Sequence, residues 1–176
     1  EELKRLIDTA HTLGMAVVMD LVHAHYVKNI NEGIDRLDGS DHHYSKAGEA
    51  GYQPHWDSRI FDYGKGGVEH FLLSNVKYWL DEFRFDGFRF DGVTSMIYRH
   101  HGYVDFDCRE KFFDDGVDTD AMTYLALANK LAHEFRPSAV TIAEEVSGMP
   151  GICIPIDDGG TGFDYRLGMA IPDFWI

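Results

Sequence analysis

The sequence predicts an α/β fold, and within that class a partial (β/α)8 barrel of which about half is present. Amphipathic helical patterns alternate with short apolar runs along the chain, which is typical of a parallel sheet with right-handed helical crossovers. This rhythm fits a doubly wound sheet as well as a barrel. Polar residues follow three successive apolar runs, at 20–25, 89–91 and 144–145. Because barrel enzymes carry their chemistry at the carboxyl edge of the strands, this clustering favours the barrel.

The individual elements follow from periodicity. Helices are predicted where apolar residues recur at three- and four-residue spacing, over residues 3–13, 68–83 and 121–135. Gly14 is well placed to end the first helix, and Pro137 closes the third. Strands are predicted from the apolar runs that follow, over residues 15–22, 84–93, 139–146 and, as a fourth, 163–170.

Residues 24–67 have no sustained periodicity and are rich in Gly, His, Asp, Ser and Tyr. They are predicted to form a long irregular insertion within one partial catalytic barrel domain that covers residues 1–176. Loops of this length in a compact domain are usually functional. The chain begins without Met, inside a helical pattern, and ends without a polar tail. We therefore expect it to be a piece of a longer protein.

The composition excludes some classes of partner. The chain has 30 acidic and 16 basic side chains and a formal charge of −14, which repels phosphate backbones and anionic lipid headgroups, so neither nucleic acid nor a membrane is expected as a partner. No apolar run approaches the roughly 18 residues that cross a bilayer. A neutral sugar is compatible with this charge. Cys108 and Cys153 lie far apart without metal-type spacing, which favours reduced thiols in the cytoplasm.

A charged pair stands on the second predicted strand. Arg89 and Asp91 point to one side of this strand, while Phe88 and Phe90 point to the other. An arginine beside an aspartate holds the carboxylate ionised through Coulomb attraction and charge-assisted hydrogen bonds. A glycosidic nucleophile has to be such a carboxylate. Taken alone, the pair favours a buried structural ion pair over a nucleophile with its partner.

Two acids end the next strand. An apolar run precedes Glu144 and Glu145, and desolvation there would raise the pKa of a carboxylic acid so that it can donate a proton to a leaving oxygen. Because neighbours on a strand face opposite ways, only one of the two can face Asp91, and strand parity does not say which. Carboxylates on adjacent strands of one rim can approach to roughly 5 to 5.5 Å, the separation in retaining glycosidases. Solvated rim acids remain the alternative.

An aspartate and two histidines, Asp20, His23 and His25, stand at the end of the first strand. His25 can donate to a sugar hydroxyl, and Asp20 can brace the loop. His23 and His25 also form a His-x-His pair that zinc could use. Further histidines that could join them are His42, His43, His100 and His101. Since the later strands offer carboxylates instead of histidines, no metal and no cofactor are predicted, and a metal-dependent hydrolase stays as an alternative.

These segments resemble the signature regions of the α-amylase family. The first three regions correspond in order to DLVHAH at 20–25, GFRFD at 87–91 and TIAEE at 141–145. Longer strings are similar to the 1,4-α-glucan branching enzymes, particularly the eukaryotic type, at 87–96, 143–150, 162–167 and 56–61. The resemblance covers nearly the whole chain, and it implies a segment that runs roughly from the second barrel helix to the start of the sixth.

The resemblance also implies roles for individual residues. Asp91 is the expected nucleophile and Glu144, not Glu145, the expected general acid/base. Arg89 is the expected partner of the nucleophile, and Asp20 and His25 are expected to bind substrate with it. Ala24 departs from the wider family, which usually has Asn there, and so removes one side-chain hydrogen bond near the site. A fourth signature region and the flanking domains are expected beyond this chain, so the isolated chain is expected to be inactive.

The function that the resemblance implies is glucan branching. An α-1,4-glucosidic bond is cleaved and the chain is transferred to a 6-hydroxyl by a retaining double displacement. The partner would be an α-glucan such as glycogen, amylose or amylopectin, and the location cytoplasmic, or a plastid in a plant. Two alternatives remain open beside the metal-dependent hydrolase: a retaining α-glucan hydrolase of the amylase type, and an inactive glucan-binding fragment.

Overall fold

The computed structural model describes residues 1–168 and residue 175. Its helices are α1 (Glu2–Thr12), α2 (Gly66–Glu82), the short α3 (Val93–Ile97) and α4 (Thr119–Phe135). Its strands are β1 (Val18–Leu21), β2 (His25–Val27), β3 (Tyr52–Gln53), β4 (Ser58–Ile60), β5 (Gly87–Phe90), β6 (Val140–Glu144) and β7 (Tyr165–Leu167). Single 3-10 turns occupy Gly48–Gly51, Arg109–Phe112 and Ile156–Asp158. No helix in this described part is long and apolar enough to span a bilayer.

The main sheet has four parallel strands in the order β1, β5, β6, β7. The spatial order equals the order along the chain, with α2 between β1 and β5 and α4 between β5 and β6. A doubly wound sheet reverses its strand order at a switch point, whereas a barrel wall adds every strand to the same edge. The strand order therefore selects the barrel from the two architectures that the rhythm allowed.

The core lies between this sheet and the helices α2 and α4. Buried side chains of α2 recur every four residues, and the buried Phe88 and Phe90 of β5 meet the helical layer. At Gly87 a Cβ atom would lie 2.0 Å from the carbonyl oxygen of Val140, so only glycine lets β5 and β6 approach this closely. Packing of the phenylalanines fixes the side of β5 on which Arg89 stands.

Strand and helix ends differ from the predictions in one informative place. The second strand was predicted to continue to residue 93, but β5 ends at Phe90 and α3 begins at Val93. Gly92 adopts a left-handed conformation with φ 62°, which breaks the strand. All five residues of α3 are buried, so α3 has no amphipathic pattern by which the sequence could reveal it. The predicted strand at 163–170 contains β7, and its last two positions lie outside the described residues.

The segment 24–67 is more regular than the predicted irregular insertion. It contains a three-stranded antiparallel sheet in the order β2, β4, β3. These strands have only two or three residues each, which is too short for a period of two to stand out from the sequence. That the segment is an insertion within a single barrel domain stays a prediction.

Candidate active site

One arginine connects three carboxylates at the carboxyl edge of the parallel sheet. Nη1 of Arg89 donates to Oδ1 of Asp20 at 2.5 Å and to Oδ1 of Asp91 at 2.8 Å. Nη2 of Arg89 lies 3.1 Å from Oε1 of Glu144. The other oxygen of Glu144 accepts the backbone N–H of Gly92 at 2.7 Å. The structure thus brings together four of the five residues predicted for the site.

Strand register explains why these side chains meet. Asp20 of β1 is the direct partner of Arg89 of β5, which in turn is opposite Ile142 of β6. Since side chains alternate along each strand, Asp91 and Glu144 then project from the same face two residues further on. The backbone N–H of Asp91 donates to the carbonyl of Leu21 at 3.1 Å. The position of Asp91 is therefore set by the sheet, not by a free loop.

The electrostatics of this group are dominated by Arg89. Burial opposes the charged guanidinium, but its hydrogen bonds to Asp20 and Asp91 outweigh burial and raise the pKa of Arg89. Asp91 and Glu144 bind the two terminal nitrogens of this guanidinium. The distance between the two carboxylates is therefore at most the width of one guanidinium plus the lengths of these two contacts. Their side chains are 29% and 20% exposed, so a substrate can reach both.

His25, the fifth predicted residue, lies beside Asp91. Burial lowers the pKa of His25, and the negative charge of Asp91 opposes this only in part, so the imidazole is neutral at neutral pH. Its ring lies 4.9 Å from the ring of Trp56. The buried Nδ1 atom of His25 has no hydrogen-bond partner among the described residues. A neutral imidazole in this place can form a hydrogen bond with a sugar hydroxyl through its other ring nitrogen, Nε2.

Glu145 points to the opposite side of the strand and binds the chain that follows it. It is 1% exposed, and its carboxylate accepts hydrogen bonds from Thr94 Oγ1 at 3.0 Å and from Ser147. The backbone N–H groups of Gly148 and Met149 donate to it at 3.0 and 3.1 Å. Glu144, not Glu145, therefore shares Arg89 with Asp91, and Glu145 fixes the loop after β6.

His23 is a structural residue. Burial lowers the pKa of His23 to about 4, although the hydrogen bond to the side-chain oxygen of Asn75 acts in the opposite direction. Its Nδ1 lies 2.5 Å from the hydroxyl of Tyr124 and its Nε2 lies 3.0 Å from Oδ1 of Asn75. Burial raises the pKa of Tyr124 well above its ordinary value, so the phenol donates and the imidazole carries its proton on Nε2. Both ring nitrogens are therefore occupied and neither is free to bind zinc.

The other histidines considered as zinc ligands do not lie with His23. His42 and His43 contact Asp41 and Asp38 at the surface of the segment 24–67, and the ring of His100 stacks on Tyr98. Within residues 1–168 and 175, no three His, Cys, Asp or Glu side chains are grouped so that they could hold a metal ion.

Gly92 and Trp56 lie near Asp91, and neither was assigned a role from the sequence. Gly92 donates its N–H to Glu144 and has φ 62°. A Cβ atom at Gly92 would lie 3.1 Å from Cβ of Ala24 and 3.8 Å from the indole of Trp56. The small side chain of Ala24 thus accommodates the turn that follows Asp91. The Gly after the Asp and the Trp in the 56–61 string were the only signals for these contacts.

Comparison with known proteins identifies relatives of this arrangement. No family model matches the chain. It is 55% identical over 179 residues to the 1,4-alpha-glucan-branching enzyme of Equus caballus. It is 54% identical over 178 residues to the 1,4-alpha-glucan-branching enzyme 2-2, chloroplastic/amyloplastic, of Arabidopsis thaliana. The alignments cover 100% of this chain and 26% and 22% of the relatives. The chain thus spans about a quarter of the length of the curated proteins that it matches.

Solved structures agree on the fold. An Anoxybacillus α-amylase superposes with a TM-score of 0.67 at 15% identity, covering 98% of this chain and 34% of that one. At this identity the likeness shows the fold alone, and the prediction of a partial (β/α)8 barrel is confirmed. Identity above one half over all 176 residues confirms the family resemblance as well. Over its full length the chain thus matches an internal segment of proteins named 1,4-alpha-glucan-branching enzymes.

Proposed function

We propose that this chain supplies the nucleophile and the general acid/base of an enzyme that introduces α-1,6 branches into an α-glucan. The observation that carries the proposal is the shared guanidinium: Arg89 binds both Asp91 and Glu144 at the carboxyl edge of parallel strands. Two carboxylates this close are compatible with the separation of about 5 to 5.5 Å in retaining glycosidases. More than half identity to proteins named 1,4-alpha-glucan-branching enzymes supports the polymer and the reaction.

In the first half-reaction Asp91 attacks the anomeric carbon of an α-1,4-linked glucose unit. The bond to the leaving oxygen breaks, Glu144 gives that oxygen its proton, and a glucosyl ester on Asp91 remains. Arg89 orients the nucleophile and is itself held by Asp20. Both oxygens of Glu144 already accept hydrogen bonds, from Arg89 and Gly92. Each of these oxygens has a second lone pair, so Glu144 can carry the proton for the substrate oxygen while it keeps both contacts.

In the second half-reaction Glu144 acts as the base. It removes the proton of a 6-hydroxyl on an acceptor chain, and the new oxygen–carbon bond displaces Asp91. Two inversions give an α-1,6 linkage with net retention. His25 and Asp20 complete the substrate contacts, with the neutral imidazole hydrogen-bonded to a sugar hydroxyl beside Asp91.

The proposed partner is a neutral α-glucan, either glycogen or the starch polymers amylose and amylopectin. A chain of charge −14 has no electrostatic reason to exclude such a ligand. We propose a cytoplasmic location, or a plastid if the source is a plant, in line with the name of the Arabidopsis thaliana relative.

The test uses the complete protein that contains this chain and a linear α-1,4-glucan. Asp91→Asn is expected to reduce turnover by about 10⁴-fold or more, and Glu144→Gln by about 10²- to 10⁴-fold. Asp8→Asn on α1 is the matched control and should keep full activity. New α-1,6 linkages are counted by digestion with a debranching enzyme. Full activity of Asp91→Asn would refute the assignment, and shortened chains without new branches would indicate a hydrolase.

A further inference from the structure

An exposed tryptophan stands at the tip of the β3–β4 hairpin. Tyr52 pairs with Arg59 and Gln53 with Ser58, which leaves residues 54–57 as the connecting turn. The N–H of Trp56 donates to the carbonyl of Gln53 at 3.3 Å. The N–H of His55 donates to the side-chain oxygen of the fully buried Gln53 at 3.2 Å. The turn that presents Trp56 is therefore anchored from beneath.

The residue after the tryptophan fixes the turn from the outside. Asp57 has φ 46°, a left-handed conformation that is unfavourable for a residue with a side chain and persists only where contacts enforce it. Its Oδ1 accepts hydrogen bonds from Lys28 and from the hydroxyl of Tyr52. Two residues further along the chain, in β4, Nε of the buried Arg59 donates to Oδ1 of Asp35 at 3.2 Å. These contacts hold the tip of the hairpin in the conformation that presents Trp56.

This conformation brings the indole to the proposed catalytic residues. The ring of Trp56 lies 4.9 Å from that of His25 at an interplanar angle of 40°. The negative charge of Asp91 acts in turn on His25 and partly opposes the lowering of its pKa by burial. The far edge of the indole approaches Gly92, the residue next to Asp91. Trp56 is nevertheless 44% exposed. Much of its aromatic surface therefore faces solvent within one residue of the proposed nucleophile.

The aromatic surface continues beyond the tryptophan. The ring of the neighbouring His55 lies 4.5 Å from the ring of Tyr103, which is 53% exposed. Rings exposed side by side on a rigid rim offer apolar faces without charge, and exposed apolar patches of this kind mark binding sites. A pyranose ring has a face of C–H bonds that packs on an aromatic plane and hydroxyls at its edge that remain hydrated.

We propose that Trp56 is the stacking platform for a glucose unit of the α-glucan next to the bond that Asp91 attacks, with Tyr103 extending the same surface along the chain. The inference rests on the proposed function, and it adds a binding residue to it. The alternative is that Trp56 only packs against His25. The two readings differ because stacking requires an aromatic face, whereas packing requires only apolar bulk.

The experiment measures binding, so that it does not depend on turnover. The complete protein carrying Asp91→Asn is titrated calorimetrically with maltoheptaose, alone and with a second substitution at position 56. Trp56→Leu keeps apolar bulk but removes the aromatic face, and it should weaken binding about tenfold. Trp56→Phe should restore most of the affinity. Tyr78→Ala, at a half-exposed aromatic on α2 that packs on Trp79 and Phe83, is the control and should change nothing.

A spectroscopic readout separates contact from indirect effects. Indole fluorescence responds to the surroundings of the ring, so maltoheptaose should alter the fluorescence of the Asp91→Asn protein but much less that of the variant that also carries Trp56→Phe. Affinity of the Trp56→Leu variant within about twofold of its parent would overturn the inference while the proposed function stands. If the Asp91→Asn protein itself fails to bind maltoheptaose, the proposed function falls and the inference falls with it. Equal melting temperatures establish that the variants are folded.

Discussion

Asp20 and Arg89 are direct partners across neighbouring parallel strands, and the guanidinium of Arg89 contacts the carboxylate of Asp20 at 2.5 Å. The contact holds an arginine that has to satisfy Asp91 and Glu144 at the same time. Arginine suits this task because its donors are fixed in one plane, whereas a lysine ammonium is a single point of charge. The geometry of the site therefore depends on the shape of the guanidinium as well as on its charge.

The first prediction concerns this shape. Arg89→Lys keeps the positive charge but cannot bind three carboxylates in the same places, so kcat for branching is expected to fall about 100-fold, the cost of a misplacement of about 1 Å. KM should change much less, since the substrate contacts of His25 remain. Steady-state kinetics of the complete protein measure both constants. Arg5→Lys on the exposed face of α1 is the matched control. A variant with unchanged kcat would show that charge alone is sufficient.

The second prediction separates the adjacent acids Glu144 and Glu145. Glu145→Gln places an amide N–H₂ among backbone N–H donors in a site that is 1% exposed, so the free energy of unfolding should fall by about 1–3 kcal/mol. Glu144→Gln, at the accessible rim, should leave stability nearly unchanged while activity is lost. Urea unfolding and branching assays on both variants check this. The opposite pattern would mean that the two roles are exchanged.

That Arg89 and Asp91 stand side by side could be predicted from the sequence because strand alternation is a strictly local property. Arg89 and Asp91 share a face since they are two residues apart, and that face is fixed by burial of Phe88 and Phe90. For Glu144 and Glu145, alternation established only that the two side chains lie on opposite sides of the strand, not which of them faces Asp91. The choice between them depends on the register of β5 against β6, for which the chain carries no local signal.

Other features of the site are set by contacts between distant segments. Trp56 lies in a turn, so no period marks it, and its neighbours His25 and Gly92 come from two other elements. The buried helix α3 and the short strands β2, β3 and β4 were not predicted because periodicity requires a longer element with one exposed face. The parallel sheet with helical crossovers, in contrast, could be anticipated from the alternation of helices and apolar runs, although the order of its strands could not.

The third prediction uses the buried histidine. The pKa of His23 is lowered to about 4 in the folded protein, while in the unfolded chain it is about 6.5. Between these values the unfolded state binds a proton that the folded state does not, so stability is fully present above about pH 6.5 and is lost as the pH falls towards 4. The loss attributable to His23 should be at most about 3 kcal/mol.

His23→Gln tests this assignment. Glutamine can accept from the hydroxyl of Tyr124 and donate to Asn75, but it does not titrate. The difference in free energy of unfolding between pH 7.5 and pH 4.5 should therefore be smaller in this variant than in the wild type. His70→Gln, at an exposed histidine of α2, should retain the wild-type dependence. Parallel pH profiles for the wild type and His23→Gln would contradict the prediction.

The last prediction concerns the turn after the nucleophile. Gly92 has a left-handed backbone conformation, and its N–H donates to Glu144. A Cβ atom added at this position would lie 3.1 Å from Cβ of Ala24. Gly92→Ala should therefore cost about 1–3 kcal/mol of stability through backbone strain. It should also lower kcat by about 100-fold, because the clash displaces the N–H that positions Glu144.

Gly14→Ala separates strain from displacement. Gly14 has φ 76° and open space around its Cβ position, so alanine there should reduce stability similarly and leave kcat unchanged. Ala24→Gly in the Gly92→Ala background removes the contact but not the strain, and it should recover part of kcat without recovering stability. Unfolding and steady-state measurements on the complete protein follow both quantities. Backbone strain is common to both sites, whereas the contact with Ala24 and the N–H to Glu144 belong to Gly92 alone. If Gly92→Ala lowered kcat no more than Gly14→Ala does, the turn would have no part in positioning Glu144.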